Sequence, residues 1–280
     1  MPQNYYYMSG AGNLFVVAEE SNFPIESDYK QIAELLCNPK NLDSILLDGL
    51  IIICKSQQCD FEMKYFNRDG STGMMCGNGG RCAVKFAFDK GYTTQDKITF
   101  VNSQIEYSAI ITERGVKVFF PEPKKFKLKF KLNLLGDMRI CHFADVGTPH
   151  AVLFVDEIND LNQTLCLKDL DLNLWGKSVR NHTDFSPDGA NANFVEVSDL
   201  GIMLRTFERG VEAETGACGT GAISSAIISN FLRGVNKPVK VTVTSGAILY
   251  VDFDLIQGKI SNLSLEGGAD YFNKNNNNNK

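Results

Sequence analysis

The sequence predicts an α+β fold built from two copies of one supersecondary unit. Short stretches rich in β-branched and aromatic residues are numerous, whereas convincing helical periodicity is found in few places. The strand-like stretches do not alternate regularly with helices, which argues against a doubly wound parallel sheet. Similar motifs recur about half a chain apart, and this duplication predicts two lobes.

The predicted strands are short and are bounded by Gly, Asn, Asp or Pro, residues that favour turns. In chain order they lie at residues 13–18, 49–54, 61–67, 97–102, 104–112, 116–120, 151–156, 193–198, 202–207, 239–244, 247–253 and 259–265. Residues 124–131 alternate basic and apolar side chains, which is the pattern of a solvated strand rather than of a binding patch.

Helices are predicted at three places. The first covers residues 28–36, and the other two follow Cys76 and Cys218, with apolar residues at helical spacing through 81–90 and 222–232. The latter two are followed by Gly91 and Gly234, at the position where a helix commonly ends in a left-handed residue.

The duplication is clearest around the two cysteines. Residues 75–79 (MCGNG) are matched by residues 217–221 (ACGTG), and Cys76 and Cys218 are 142 residues apart. Behind each helix, residues 98–101 (ITFV) and 241–244 (VTVT) begin an equivalent pair of strands. We therefore expect the same unit in both halves of the chain.

A boundary between the lobes is indicated by the Pro-Glu-Pro sequence at residues 121–123. We expect an N-terminal lobe over residues 1–121, with residues 264–272 packing back on it, and a C-terminal lobe over residues 122–263. Residues 273–280 are almost entirely Asn and cannot bury apolar surface, so we expect a disordered tail.

Composition and charge restrict the function further. The 280 residues are 44% hydrophobic and 22% charged, with a formal net charge of −5, which is typical of a globular protein. A mildly acidic chain has no electrostatic reason to hold a phosphate backbone, so we expect no nucleic-acid partner. The most apolar stretch, residues 45–54, is shorter than the roughly 20 apolar residues that span a bilayer, and we expect no membrane contact.

The cysteines point to a reducing compartment. The start of the sequence lacks the basic and apolar regions of a secretory signal, so we expect a cytoplasmic protein whose eight cysteines stay free thiols. The three histidines show no metal-ligand spacing, and we expect no metal. Six cysteines are expected to be buried or to pack a helix, without a chemical role: Cys37, Cys54, Cys59, Cys82, Cys141 and Cys166.

Cys76 and Cys218 differ because each stands in a Cys-Gly-x-Gly sequence directly before a helix. The glycines let successive backbone N–H groups converge on an anion, and the helix N-terminus favours negative charge. The same field lowers the pKa of a thiol in the first turn from its ordinary value of about 8.5. Each loop can therefore hold a carboxylate beside a thiol that serves as acid or base.

Two such loops on either side of an amino acid's Cα would invert its configuration. A thiolate removes the Cα proton from one face, while a thiol delivers a proton to the other. Donors at the two helix starts would stabilise the carbanion through the substrate carboxylate, so no cofactor is required. Closure of the lobes would exclude water.

Further motifs give the sequence a specific resemblance. Residues 67–71 (NRDGS) precede the first cysteine motif and residues 208–210 (ERG) precede the second. Residues 9–15 (SGAGNLF), 147–150 (GTPH) and 189–194 (GANANF) add three more blocks. In this order, from residue 9 to about 221, the motifs resemble those of the diaminopimelate epimerase family.

The resemblance implies a cytoplasmic, pyridoxal-independent, homodimeric epimerase that interconverts LL- and meso-diaminopimelate. It implies two pseudo-symmetric lobes, each a curved, mainly antiparallel sheet around a central helix, with the active site in the cleft between them. Cys76 and Cys218 would be the two acid/base residues. The residues implied to bind the substrate are Asn13, Asn67, Gly77, Asn78, Asn191, Glu208, Arg209, Gly219 and Thr220.

These residues suit a substrate with an amino acid group at each end. Gly77, Asn78, Gly219 and Thr220 would hold the reacting carboxylate. At the far end, Arg209 can pair with a carboxylate and Glu208 with an ammonium group, next to Asn67, Asn191 and Asn13.

The sequence departs from the family pattern at three places. Leu14 replaces the usual Asp, and residues 43–47 (DSILL) replace a glycine-rich run. Thr148 replaces the usual Asn of a Gly-Asn-Pro-His block, and its single hydroxyl can make only part of the Asn contact, which predicts weaker or broader substrate recognition. Thr148 and His150 could line the wall of the pocket, and for His150 a structural hydrogen bond is an equal alternative.

Other functions stay open. Proline racemases share the two-thiol chemistry, but they typically have His and Pro where this chain has Asn78 and Ala217. Phenazine-pathway isomerases share the fold but lack the paired thiols. An amino-acid racemase of broader specificity, a redox-sensing protein or an inactive binding module would also use one or both loops. The last two do not account for the further polar residues of the site.

Overall fold

A computed structural model describes residues 4–38, 46–72, 75–158 and 166–272. The chain forms two compact units: unit 1 comprises Met1–Phe119 and Glu266–Lys280, and unit 2 comprises Phe120–Leu265. These bounds lie two residues from the lobe boundaries expected from the sequence. The predicted Asn-rich tail and residues 43–45 lie outside the described residues.

The elements follow one another in this order. The strands are β1 (Tyr6–Gly10), β2 (Asn13–Glu19), β3 (Gly49–Cys54), β4 (Phe61–Asn67), β5 (Lys97–Asn102), β6 (Ile105–Thr112), β7 (Gly115–Phe119), β8 (Lys125–Leu134), β9 (Asp137–Asp145), β10 (Pro149–Phe154), β11 (Asn191–Ser198), β12 (Gly201–Glu208), β13 (Ala213–Thr215), β14 (Val239–Val243), β15 (Ile248–Ile256), β16 (Lys259–Gly267) and β17 (Asp270–Tyr271). The α-helices are α1 (Tyr29–Leu36), α2 (Gly77–Asp89), α3 (Val155–Ile158), α4 (Leu172–Arg180) and α5 (Gly219–Arg233). Single 3₁₀ turns lie at Glu20–Asn22, Leu167–Asp169 and Thr183–Phe185.

Unit 1 is a mixed sheet around a buried helix. Its strands pair in the order β17, β1, β2, β3, β4, β5, β6 and β7. The β2–β3 and β4–β5 pairs are parallel and the other pairs are antiparallel. Helix α2 contacts β1, β2, β3, β4 and β7 and is buried along most of its length. A second core lies where α1 packs on the sheet through Ile32, Ala33 and Leu36.

Unit 2 is arranged in the same way. Its strands pair in the order β8, β9, β10, β11, β12, β14 and β15, and β13 pairs with β12. The β10–β11 and β12–β14 pairs are parallel. Helix α5 contacts β9, β10, β11, β12, β14 and β15. The outer core contains Leu172 and Val179 of α4 packed with Phe194 and Phe207 of the sheet.

The strand pairing confirms the duplication. From β1 to β6, and again from β9 to β15, successive pairs are antiparallel, parallel, antiparallel, parallel and antiparallel. In each series the central helix lies in the chain before the strand that forms the second parallel pair. The α+β architecture predicted from the sequence is therefore confirmed, with two repeated halves.

Both central helices end as the glycines predict. Gly91 has φ 76° just after the C-cap of α2, and Gly234, the C-cap of α5, has φ 67°. The left-handed region costs glycine little because it lacks a Cβ. Both helices begin before the predicted apolar periodicity, because their first turns consist largely of glycine and small polar residues capped by cysteine.

Two details differ from the sequence predictions. The strand predicted through residue 156 ends at Phe154, and α3 follows. Asp156 and Glu157 on this turn pair with Arg233 at 3.1 and 2.8 Å. Strands β1, β9, β13 and β17 and helix α4 were not predicted. Among the described residues, no helix is both long and apolar enough to cross a bilayer.

Candidate functional site

Cys76 is the N-cap of α2 in unit 1. Its backbone is extended, its carbonyl accepts the N–H of Gly80 at 2.7 Å, and its Sγ accepts the N–H of Gly79 at 3.4 Å. An N-cap side chain that accepts a backbone N–H satisfies a donor that the helix itself cannot pair. A sulfur in this position receives a hydrogen bond and the field of the helix N-terminus, and both favour the thiolate.

The turn that follows Cys76 is built from buried polar groups. Asn78 is 1% exposed, and its Nδ2 donates to Asn13 Oδ1 at 2.6 Å. Arg81 is 0% exposed and donates from its two terminal nitrogens to the Gly77 carbonyl at 3.1 Å and to Asn78 Oδ1 at 3.0 Å. The predicted site residues Asn13, Gly77 and Asn78 therefore lie together, and Arg81 fixes their arrangement.

The start of β2 is held by a carboxylate. Asp48 accepts the N–H of Leu14 at 2.9 Å and pairs with Arg68 at 3.0 Å, which links the residue after Asn13 to the end of β4. Asn67, the last residue of β4, donates from Nδ2 to Ser71 Oγ at 3.0 Å within its own turn. Leu14, at the position where the family pattern has Asp, is thus bonded to Asp48 through its backbone N–H and not through its side chain.

Cys218 occupies the equivalent position in unit 2. It is the N-cap of α5, its carbonyl accepts the N–H of Ala222 at 2.9 Å, and its Sγ accepts the N–H of Gly221 at 3.4 Å. Its Sγ also lies 3.6 Å from the hydroxyl of Thr220. Both sequence-predicted acid/base residues are therefore thiols at the start of a helix, each receiving a backbone N–H from the third residue along.

Thr148 and His150 form a chain of hydrogen bonds that reaches this cysteine. Thr148 Oγ1 lies 2.9 Å from His150 Nε2 and donates to Thr220 Oγ1 at 3.2 Å. Asn193 Nδ2 lies 3.1 Å from His150 Nδ1, and since an amide nitrogen only donates, Nδ1 accepts and Nε2 carries the hydrogen. Burial lowers the pKa of His150 to about 3, so the ring is neutral at physiological pH. His150 is 0% exposed, so its role is to hold the Thr148 hydroxyl in place through their hydrogen bond.

Asn191 bonds the backbone of Arg209, and the sequence predicts that both residues bind the far end of a substrate. Asn191 Nδ2 donates to the Pro149 carbonyl at 3.0 Å, and its Oδ1 accepts the backbone N–H of Arg209 at 2.8 Å. Glu208 Oε2 accepts from the Thr215 hydroxyl at 2.8 Å. The side chains of Glu208, the last residue of β12, and of Arg209, which follows it, are half-buried.

The remaining cysteines differ in part from expectation. Cys37, Cys54, Cys82 and Cys141 are buried, and burial raises the pKa of all four thiols. The expectation of burial was wrong for Cys166, which is exposed at the N-cap of a 3₁₀ turn in which the next residue, Leu167, is buried. Cys59 is partly exposed. No group of three His, Cys, Asp or Glu side chains that could hold a metal occurs in the described ranges.

The sequence analysis did not assign to the site three residues that hold other site residues by hydrogen bonds: Arg81, Asn193 and Asp48. Arg81 was assigned to a helix but not to the site, because an arginine is normally solvent-exposed. Asn193 donates to the Ala151 carbonyl and accepts from the Thr206 hydroxyl, at 2.9 and 3.0 Å. The sequence signal for Asn193 is an amide side chain between the apolar residues Ala192 and Phe194 of β11.

Comparison with known proteins gives one consistent family. The model of the family described as diaminopimelate epimerase matches residues 5–118 and 142–254, one range in each half of the chain. The diaminopimelate epimerase of Chlorobaculum tepidum is 38% identical over 266 residues, covering 94% of this chain and 96% of that protein. The diaminopimelate epimerase of Aquifex aeolicus is 37% identical over 263 residues and covers 89% of both chains.

Solved structures share the fold at low identity. A phenazine biosynthesis protein of the PhzF family from Bacillus anthracis has a TM-score of 0.72 at 13% identity and covers 96% of both chains. A probable proline racemase from Agrobacterium radiobacter K84, with bound carbonate, has a TM-score of 0.65 at 14% identity, covering 96% of this chain and 90% of that one. Since the family model spans both repeats and the relatives match nearly the whole sequence, this chain belongs to the diaminopimelate epimerase family.

Proposed function

We propose that this isomerase interconverts LL- and meso-diaminopimelate by moving a proton at one Cα, without a cofactor. The observation that carries the proposal is the pair of cysteines that cap α2 and α5 in the two halves matched by the family model. An inversion at carbon needs an acid and a base on opposite faces, and one thiol from each repeat provides them.

In the proposed reaction, one cysteine is a thiolate and takes the Cα proton, so the electron pair of the C–H bond moves onto the substrate. The other cysteine is a thiol and gives its proton to the opposite face of the same carbon. Charge that develops on the substrate carboxylate is stabilised by backbone N–H groups at the two helix starts. After one turnover the protonation states of the two sulfurs are exchanged, and the reverse reaction can begin from there.

Recognition of the substrate uses residues from both units. Gly77 and Asn78, with Gly219 and Thr220, bind the carboxylate next to the reacting carbon. Arg209 and Glu208 bind the far carboxylate and ammonium groups, and Asn13, Asn67 and Asn191 complete the contacts. Support comes from the hydrogen bonds that hold Asn13 to Asn78 and Asn191 to the backbone of Arg209.

A related racemase of broader specificity is the second candidate. Thr148 favours it, because a threonine hydroxyl that already bonds His150 and Thr220 has less capacity for a substrate than the asparagine of the family pattern. We also propose that the enzyme is a cytoplasmic homodimer; both properties rest on the family resemblance. Sedimentation at several protein concentrations tests the dimer.

The function is tested in deuterated water. The protein is incubated with LL-diaminopimelate, and we expect meso product that carries one solvent deuterium at the inverted centre. Cys76→Ala and Cys218→Ala should each abolish this reaction, while Cys166→Ala, at an exposed thiol, is the matched control and keeps it. Proline, glutamate and aspartate are assayed in parallel. Conversion of one of these amino acids without meso-diaminopimelate would favour the broader racemase, and no conversion of any would reject both.

A further inference from the structure

Asp48 stands where three strands of unit 1 come together. It directly precedes β3, which pairs with β2 on one side and with β4 on the other. The Asp48 N–H donates to the Leu14 carbonyl at 2.7 Å, and the Asp48 carbonyl accepts the N–H of Arg68 at 3.2 Å. The start of β2 and the residue after β4 are therefore both bonded to the backbone of this one residue.

The carboxylate of Asp48 bonds the same two neighbours a second time. Its Oδ2 accepts the N–H of Leu14 at 2.9 Å, and its Oδ1 accepts from the Arg68 guanidinium at 3.0 Å. The Asp48 side chain is 27% exposed, so these bonds are partly shielded from water. Hydrogen bonds to a charged group are stronger than neutral ones. One side chain thus ties the start of β2 to the end of β4.

The two strand ends held by Asp48 carry predicted substrate-binding residues. Asn13 begins β2 and Asn67 is the last residue of β4, so each is next in the chain to a residue that Asp48 bonds. The spacing of the two amides at this end of the sheet therefore depends on the bonds of Asp48. A misplacement of about 1 Å at a binding group can cost orders of magnitude in turnover.

Unit 2 has the same arrangement with a different residue. Strands β10, β11 and β12 repeat the pairing of β2, β3 and β4, first parallel and then antiparallel. Asn191, at the start of the middle strand, donates to the carbonyl of Pro149, which begins β10, and accepts the N–H of Arg209, which follows β12. Asp48 thus bridges the two neighbouring strands in unit 1 as Asn191 does in unit 2.

We infer that Asp48 is a positioning residue: its carboxylate fixes Asn13 relative to Asn67 and so sets how tightly the far end of the substrate is bound. This role rests on the proposed function, in which both amides contact that end. Contacts with a group that does not react are equally strong in the ground state and in the transition state. Their loss therefore raises KM and leaves kcat nearly unchanged.

Three variants of the full chain are compared in the diaminopimelate assay. Asp48→Ala removes both side-chain bonds and should raise KM about tenfold, while kcat changes by less than about threefold. Asp48→Asn keeps an oxygen for one of the two donors, and because an amide makes the bridge in unit 2, this variant should raise KM less. Glu20→Ala is the matched control: it removes a partly exposed carboxylate that pairs with Lys64 of β4 at 2.7 Å, and it should leave KM unchanged.

A measurement on the substrate-free protein shows whether the bond itself is lost. Hydrogen exchange at the Leu14 backbone amide should be faster in Asp48→Ala than in the unaltered protein, because the carboxylate that accepts this N–H is missing. Circular dichroism shows whether each variant is folded. If Asp48→Ala does not fold, Arg68→Met takes its place, since it removes only one of the two side-chain bonds and should raise KM about threefold.

An unchanged KM in folded Asp48→Ala, despite faster exchange at Leu14, would overturn the inference, because the carboxylate would then hold the sheet without placing the amides. An unchanged KM in Arg68→Met would overturn it where that variant is the one measured. An equal rise of KM in Glu20→Ala would also overturn it, since any lost carboxylate of unit 1 would then act alike. Absence of epimerisation by the unaltered protein refutes the proposed function instead, and the role of Asp48 falls with it.

Discussion

The buried histidine of unit 2 makes the stability of that unit depend on pH in a way that a single substitution can isolate. His150 is fully buried, with both ring nitrogens in hydrogen bonds, and burial lowers its pKa from 6.5 to about 3. Below pH 6.5 the unfolded chain takes up a proton at this residue that the folded chain does not. Stability is therefore lost as the pH falls from 6.5 towards 3.

The size of the effect follows from the two pKa values. Between pH 7 and pH 5 the free energy of unfolding should fall by about 2 kcal/mol from His150 alone, at about 1.4 kcal/mol for each pH unit once the unfolded histidine is protonated. Carboxylates contribute little in this range. Glu214, whose pKa is lowered by the hydrogen bond from Arg205, loses its contribution only below its ordinary value of 4.5.

The assay uses the single tryptophan of the chain. Trp175 lies on α4 in unit 2 and packs against the core that includes Ala151, next to His150, so its fluorescence during urea unfolding reports on this unit. His150→Gln keeps a side-chain N–H for Thr148, and Asn193 keeps the Ala151 carbonyl as an acceptor. The variant should lose about 2 kcal/mol less than the unaltered protein between pH 7 and pH 5.

Measurements between pH 8 and pH 7 serve as the control, since the histidine is then neutral in both states and the two proteins should differ by a constant amount. An equal loss of stability from pH 7 to pH 5 in both proteins would refute the argument. It would mean that His150 takes up its proton in the folded state as readily as in the unfolded one.

Three further substitutions, with Gly216→Ala as a control, test contacts in the two units. Gly221→Ala places a Cβ 2.5 Å from Asn193 Oδ1 and 3.2 Å from Cys218 Sγ, and should lower the unfolding free energy of unit 2 by about 1 to 3 kcal/mol in the tryptophan assay. Gly216→Ala meets only Ser245 Cβ at 3.5 Å, and an equal loss there would contradict this reason. Arg205→Met removes the charged partner of Glu214, bonded at 2.6 and 2.8 Å, and leaves that carboxylate with the Thr244 hydroxyl, so it should cost about 2 kcal/mol in the same assay. Asn13→Ala removes the acceptor of the Asn78 amide and should lower kcat/KM for diaminopimelate about tenfold, so unchanged kinetics would exclude a role for that bond.

The sequence predicted well the strands whose burial follows a regular pattern along the chain. Strand β3 is buried on both faces and reads as a continuous apolar run, whereas β5 alternates between buried and more exposed residues, and both were predicted with their true bounds. Helix α4 was missed although Leu172, Trp175 and Val179 follow helical spacing. Its pattern is short and includes Gly176, which is required because a Cβ there would lie 2.5 Å from Phe207.

At the candidate site, some residues could not be predicted from the sequence, and the reason is different. Cys76 and Cys218 could be found because glycine and helix signals surround them, and these signals are local. Arg81 and Asn193 are polar side chains that are buried in the fold. A pattern of apolar positions predicts which apolar residues form the core, but it does not predict that a polar residue is buried among them. Their partners, such as the Gly268 carbonyl for Arg81, are far along the chain and become visible only in the fold.

The two repeats keep the cysteine at the start of the central helix and differ in the residues that support it. Five residues after each cysteine, at a buried position of equivalent helices, stand Arg81 and Ile223. In unit 1 the Arg81 guanidinium bonds the Gly77 carbonyl and Asn78 Oδ1, whereas in unit 2 Thr220 is bonded by Thr148, which in turn contacts the neutral His150. The divergence of the duplicated halves therefore includes the polar groups that support the two turns, while each sulfur accepts the backbone N–H of the third residue along in the same way.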